Sequence, residues 1–205
     1  MKFERLLLGA MQVNCYIVWN PEIGNAYVID PGDDPETVYG RLQDLKINCS
    51  AILLTHGHFD HISGVERLKE LTGAKVYAGE AEAALLADAD LNVSKRIRRP
   101  VTVIPDRFIT DGEEITNFGM TFKTIATPGH TRGSVCFYFE KEGVLFSGDT
   151  LFKSGMGRTD LPTGSEGELY ASIIHRLLTL PGDTVCCPGH GEATNIASES
   201  KYFRI

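Results

Sequence analysis

Long apolar runs are missing from this 205-residue sequence. Leu6 to Leu8, behind Lys2 and Arg5, is too brief for a signal-peptide core and lacks a small-residue cleavage pattern. No stretch approaches the roughly 20 apolar residues of a membrane span, so a soluble protein with no membrane partner is expected. Cysteine is scarce, odd in number at five, and never arranged as C-x-x-C. That spacing excludes a disulfide framework and a thiolate zinc site. Four of the five lie in or beside apolar strand-like runs, where a free cysteine acts as a small hydrophobe; a reducing, cytoplasmic setting is expected. Basic charge is also short, with 20 Lys and Arg against 27 Asp and Glu, a net charge of −7 and a pI near 5.4. A nucleic-acid footprint usually reads basic, so no nucleic-acid partner is expected. What is present is enough hydrophobic sequence, 42%, for a sizeable core. No linker or low-complexity segment interrupts it, and the expectation is one α/β domain over residues 1–205.

Strand patterns open the chain at 3–8, 13–19 and 25–30, with Asn20, Pro21 and Gly24 punctuating the second turn. A helix is predicted from Pro35 to about Lys46, with Asp34 as its cap. The buried strand "AILLT" (51–55) follows, then a helix at 64–72 with Val65, Leu68 and Leu71 at helical spacing. After "KVYA" comes an alanine-rich helix around 80–88, then an irregular stretch to Pro105 carrying Lys95, Arg96, Arg98 and Arg99, read as a solvated basic face. Strands are predicted at 113–116, 120–126, 134–140 and 143–147, then a glycine-rich loop at 153–167. A helix over 166–179 starts at Ser165-x-x-Glu168, which fits a capping box. A last strand, "DTVCCPG", closes the pattern. Each half has a hairpin ending in aspartate (Asp30, Asp149), a helix, and a strand leading to histidine (His56, His190). Two such β-β-α-β halves would stack as an αββα sandwich.

The chemistry sits in Thr55-His56-Gly57-His58-Phe59-Asp60-His61. Three histidines and an aspartate crowd into six residues where a buried strand empties into a loop, with no packing rationale for groups so costly to desolvate. Imidazole and carboxylate suit zinc, iron and similar divalent ions. Alternation points His56 and His58 the same way, so both can reach one ion, and the turn that follows can aim Asp60 and His61 at a neighbouring point. Of six histidines in the chain, two more occupy matching Pro-Gly-His turns, His130 in "TPGHT" and His190 in "CPGHG". Asp149 ends the apolar strand "LFSGD". A lone Pro-Gly-His turn or strand-end aspartate carries little weight, but five histidines and two aspartates at strand-to-loop junctions suit two ions. His175 falls opposite the apolar face of its helix and is read as solvated.

With "VIDPG", "THGHFDH", "TPGHTRGS", "SGDTLF" and "PGHG" in this order from about residue 28 to 191, the chain resembles the metallo-β-lactamase superfamily, and within it the glyoxalase II (hydroxyacylglutathione hydrolase)-like branch. The resemblance implies an α/β fold, the four-layer αββα metallo-β-lactamase-like sandwich. It implies that His56, His58 and His130 hold one metal, that Asp60, His61 and His190 hold a second, and that Asp149 bridges them, with Asp60 and Asp149 the catalytic carboxylates. Aspartate at 149, where true β-lactamases carry cysteine or other residues, is similar to the glyoxalase-like branch. Asp30 matches a family aspartate that orients ligands. Ending at Ile205, the chain looks like the short bacterial form without the C-terminal helical domain.

The implied cofactors are two divalent metal ions, zinc favoured over iron or manganese, and the implied partner is a small-molecule acyl thioester. Two ions that share a water lower its pKa from 15.7 toward about 7, and a thiolate leaving group needs little protonation. Lys153 and Arg158, in the loop after Asp149, are candidate anchors for a substrate carboxylate; the competing reading of Arg158 is a brace to Asp160. Two other functions are set against the hydrolase: an oxidoreductase like the mononuclear-iron persulfide dioxygenases of the same fold, and a non-catalytic metal-binding protein, for which four ligands would suffice.

Overall fold

The computed structural model describes residues 1–203. The first strands are β1 (Lys2–Leu8), β2 (Val13–Asn20), β3 (Asn25–Ile29), β4 (Asn48–Leu54), β5 (Lys75–Gly79) and β6 (Arg107–Ile109), which lie in that order in one six-stranded sheet. The later strands are β7 (Glu114–Asn117), β8 (Met120–Ala126), β9 (Val135–Phe139), β10 (Val144–Gly148), β11 (Leu151–Phe152), β12 (Gly155–Met156), β13 (Val185–Pro188) and β14 (Thr194–Asn195). The second six-stranded sheet runs β14-β13-β10-β9-β8-β7, and β11 and β12 form a separate two-stranded ribbon. The helices are α1 (Pro35–Leu45), α2 (Phe59–Ile62), α3 (Val65–Thr72), α4 (Ala83–Leu86), α5 (Glu166–Ser172) and α6 (Ile196–Glu199).

Both sheets repeat one connection. β2 and β3 pair antiparallel, then the chain crosses through α1 to lay β4 parallel to β3. β9 and β10 pair antiparallel, then α5 leads to β13, parallel to β10. The echo between the halves seen in the sequence is therefore a repeated topology.

Period-two alternation gives each sheet two apolar faces. Tyr16, Val18, Tyr27, Ile29 and Leu53 of the first sheet meet Phe122, Phe137, Phe139 and Phe146 of the second. Tyr27 and Phe122 pack edge to face, ring centroids 5.4 Å apart at 87°. On the outer faces, Ile17, Val28 and Ile52 pack under Val38 and Leu42 of α1 and Val65 and Leu68 of α3. Cys136, Tyr138, Leu145 and Cys186 pack under Leu169, Ile173 and Leu177. Three apolar seams make four layers, αββα, each fully buried large side chain contributing about 1.5–3 kcal/mol.

Some local expectations change. Asp34 precedes α1 but makes no side-chain cap; it adopts φ 44°, and its Oδ2 accepts from the Gly9 amide at 3.2 Å instead. The alanine-rich helix shrinks to a 3-10 turn over Glu80–Glu82 and the four residues of α4. The helix after Ser165 is α only to Ser172 and widens to a π turn over Ile173–Leu177. Ser165 Oγ does accept from the Glu168 amide, at 3.4 Å. All five cysteines are free and buried, and His175 is exposed. Among the described residues no helix is long and apolar enough to cross a membrane.

Candidate metal centre

Parallel strands deliver their loops to the same edge of a sheet, where α/β proteins mount their sites. Asp30 follows β3, the segment Thr55–His61 follows β4, Asp149 follows β10, and Gly189-His190 follows β13. His130 comes from the β8–β9 connection. The junctions are bent to aim these groups. Asp30 takes φ 49°, a left-handed conformation that aspartate tolerates better than most residues. A bulge between Phe146 and Gly148 shifts the β10–β13 register just before Asp149, a common device for re-aiming a side chain. The glycines of the Pro-Gly turns are steric necessities. A Cβ on Gly32 would lie 1.5 Å from the Asp60 carbonyl oxygen, and one on Gly189 would lie 2.3 Å from Asp149 Oδ1 and 2.6 Å from His61 Cε1.

The side chains form two facing groups. His58 Nδ1 lies 2.9 Å from His130 Nε2, which lies 3.2 Å from His56 Nε2. Opposite them, His190 Nε2 is 3.2 Å from Asp60 Oδ2, and His61 Nε2 is 3.9 Å from the same oxygen. Within each of these triads the donor atoms lie within 4.8 Å of one another. Asp149 stands between them: its Oδ1 is 3.5 Å from His61 Nε2, while its Oδ2 is 3.6 Å from His130 Nε2 and 3.8 Å from His190 Nε2. The seven residues singled out from the sequence converge at one place.

Three imidazoles are oriented from behind. His61 Nδ1 donates to Asp30 Oδ2 at 2.9 Å, and Asp30 is itself held by the Thr55 amide at 2.8 Å and the Thr55 hydroxyl at 2.6 Å. His130 Nδ1 donates to the Arg158 carbonyl at 2.7 Å, and His56 Nδ1 faces Thr55 Oγ1 at 3.1 Å. Each contact engages Nδ1 and leaves Nε2 toward the centre, as in ligating histidines. Asp30, His56 and His61 are also mutually close enough to form a third donor triad.

The buried charges suit cations. Burial, reinforced by neighbouring imidazoles, pushes His56 well below the ordinary range and holds His58 at about 3. Burial opposes protonation of His61 too, but the Asp149, Asp60 and Asp30 carboxylates prevail and lift it to about 10. Burial would raise Asp60, yet His61 and His190 hold its carboxyl below the usual range. His61 Nε2 and Asp149 Oδ1 are buried without any hydrogen-bond partner. Orphaned atoms of this kind are rare and costly, and a divalent ion would satisfy both. The donor set of imidazole and carboxylate thus fits divalent metal ions.

Glu82 carries no obvious signal in its sequence context, yet it ties the centre together. It is 1% exposed; its Oε1 accepts from the Gly57 amide and its Oε2 from the Gly133 amide, both at 2.8 Å. One carboxylate so clamps the loop of His56 and His58 to the loop of His130. A glutamate beside alanines looks like a solvated helix position, which is why pattern alone passes over it.

A cavity of about 530 Å³ opens over Asp60, Asp149 and His190, walled by Met11, Phe59, Val93 and Phe152. Arg158 stands in this wall with its guanidinium engaged to both Asp160 oxygens at 2.7 Å. Lys153 is outside the wall and pairs with Glu192. Of the basic run, only Arg96 lines this cavity.

The family model of the metallo-beta-lactamase superfamily matches residues 8–190. Hydroxyacylglutathione hydrolase GloC of Haemophilus influenzae is 35% identical over 98% of this chain and 96% of its own length. The crystal structure of BLEG-1 B3 metallo-beta-lactamase superposes with a TM-score of 0.93 at 40% identity, covering 98% of this chain and 97% of that one. The crystal structure of TTHA1623 in a di-iron-bound form gives 0.87 at 36% identity, covering 97% and 98%.

Proposed function

Because the chain belongs to the metallo-beta-lactamase superfamily, and so to a family of metal-dependent hydrolases, we propose that it is a thioester hydrolase of the hydroxyacylglutathione hydrolase type working with two zinc ions. The observation that carries this reading is Asp149, whose carboxylate stands between the two donor groups, Oδ1 toward His61 and Oδ2 toward both His130 and His190. His56, His58 and His130 would hold one ion and Asp60, His61 and His190 the other, with Asp149 shared. When bound, such a pair supplies Lewis-acid polarisation of a carbonyl and a water acidic enough to attack at neutral pH.

The chain's own groups supply the rest. Asp30, Thr55 and the Arg158 carbonyl fix the imidazoles, so little reorganisation is needed as charge develops. Asp60 and Asp149, acceptor-only when ionised, orient the attacking water. Met11, Phe59, Val93 and Phe152 seat the apolar part of the acyl compound and exclude bulk water. The cavity wall offers no dedicated acid for a poor leaving group, which a thiolate does not need.

The test is a panel of hydroxyacyl and simple acyl thioesters, lactones, a β-lactam and a persulfide, offered to metal-loaded protein with thiol release and oxygen uptake both followed. Thioester cleavage is expected to lead, and His58→Ala to lose more than about 100-fold of it while the far-ultraviolet dichroism stays unchanged. Turnover confined to the β-lactam, or oxygen uptake with the persulfide, would replace the thioesterase.

A further inference from the structure

The segment between α4 and β6 has no periodic pattern, yet it is firmly built. Asn92 and Ser94 are fully buried within it. Asn92 Nδ2 donates to the Val101 carbonyl at 2.8 Å and its Oδ1 accepts from the Ser94 amide at 3.0 Å, while Ser94 Oγ accepts from the Val101 amide at 3.0 Å. The Asn92 carbonyl accepts from the Phe59 amide at 3.1 Å, pinning the segment beside Asp60. Val93 is held at φ 70°, a left-handed conformation that a β-branched residue takes only where its surroundings impose it. It lines the cavity over the metal centre. A braced loop that forces a strained apolar residue into a site is a designed wall rather than a passive connection.

The basic run of this segment is not uniform. Lys95 pairs with Asp90 at 2.8 Å, and Arg99 lies 3.7 Å from Asp33. Arg98 lines neither this cavity nor the one beside it. Arg96 lines the metal cavity, and among the described residues its guanidinium has no carboxylate partner, unlike Arg158 in the same wall. A second cavity, about 280 Å³, shares Met11, Phe59 and Asp60 with the first and runs on to Ile97 and Arg99. The space over the centre thus continues along the same loop.

We propose that the 88–101 loop is a substrate-recognition wall in which Arg96 binds an anionic group, carboxylate or phosphate, borne by the substrate at a distance from the reacting carbonyl. The inference rests on the thioesterase reading for the identity of the reacting group. A planar guanidinium with free donors matches carboxylate or phosphate oxygens two at a time. A cation in the cavity wall also fixes which end of an anionic substrate points at Asp149.

The test compares three small thioesters on the metal-loaded full chain: one with a carboxylate on the thiol (S-acetyl-3-mercaptopropionate), one with a carboxylate on the acyl group (a succinyl thioester of N-acetylcysteamine), and neutral S-acetyl-N-acetylcysteamine. Wild type is expected to favour one anionic compound over the neutral one, and which one tells whether thiol or acyl group carries the anion. Arg96→Ala should lower that preference, as a ratio of kcat/KM, about tenfold and chiefly through KM. Arg96→Lys should fall between, and Arg98→Ala, which removes the same charge from the same loop, should keep the preference. Equal losses in Arg96→Ala and Arg98→Ala, or no loss in either, would overturn the proposal. Calorimetric binding of 3-mercaptopropionate and succinate, each against its neutral amide, needs no turnover. If wild type cleaves no thioester yet binds either anion preferentially through Arg96, the recognition wall stands and the thioesterase reading falls. Absence of any anion preference in binding as well overturns the wall itself.

Discussion

Replacing Glu82 with alanine is the most informative perturbation of the scaffold around the centre. Its two oxygens accept from the Gly57 and Gly133 amides in a site with 1% exposure, where no solvent can replace them. Leaving a buried donor unsatisfied costs about 1–3 kcal/mol, so two orphaned amides cost about 2–6 kcal/mol. Against a typical domain stability of about 5–15 kcal/mol that is a large fraction. The loss has a functional side, because the two amides belong to the loops that carry His56, His58 and His130. Metal affinity should therefore fall by about 10–100-fold, the usual effect of losing a group that holds ligands in place. Urea unfolding of the metal-stripped protein isolates the first effect, and competition with a chromophoric chelator measures the second. Glu82→Gln keeps the shape and one acceptor, so it should lose roughly half of each effect. Unfolding of Glu82→Ala within about 0.5 kcal/mol of wild type, with metal affinity intact, would refute the clamp.

Two further outcomes follow from the same geometry. Zinc loading at pH 7 should release at least one proton per chain, measured by calorimetry in buffers of different ionisation enthalpy: the carboxylates that lift His61 to about 10 keep it protonated at neutral pH and raise His190 as well, and a metal needs the neutral rings, so the release fades as pH rises through the His61 value. Zinc uptake at pH 7 without proton release would contradict that charge assignment. Gly189→Ala places a methyl 2.3 Å from Asp149 Oδ1, so the variant should bind metal at least about tenfold more weakly in chelator competition; unaltered affinity would show that the β13 turn can yield.

Much of this was legible in the chain because the physics was local. The run His56 to His61 concentrates ligand chemistry at the end of a buried strand, and an alternating strand such as β8 declares its faces. The parts that escaped depend on long-range contacts or on elements too short for a period. Glu82 gains its meaning only from two amides, one 25 and the other 51 residues away. Asn92 and Ser94 look like ordinary loop residues until Val101 and Phe59 are brought to them. β6, β11, β12 and β14 span two or three residues each and have no alternation to read. Asp34 stands where a helix cap belongs, but the β1–β2 turn claims its carboxylate. The basic run from Lys95 to Arg99 reads as one solvated face, and only the fold separates Arg96 from its neighbours.

The central claim is a pair of metal ions shared through Asp149, and metal content per chain tests it most directly. Protein produced with zinc and iron both supplied, and analysed for every transition metal, should carry about two zinc ions per chain. Asp149→Asn should reduce that number while leaving the fold intact. A single tightly held iron per chain, unaffected by that substitution, would contradict the account and transfer the site to oxygen chemistry.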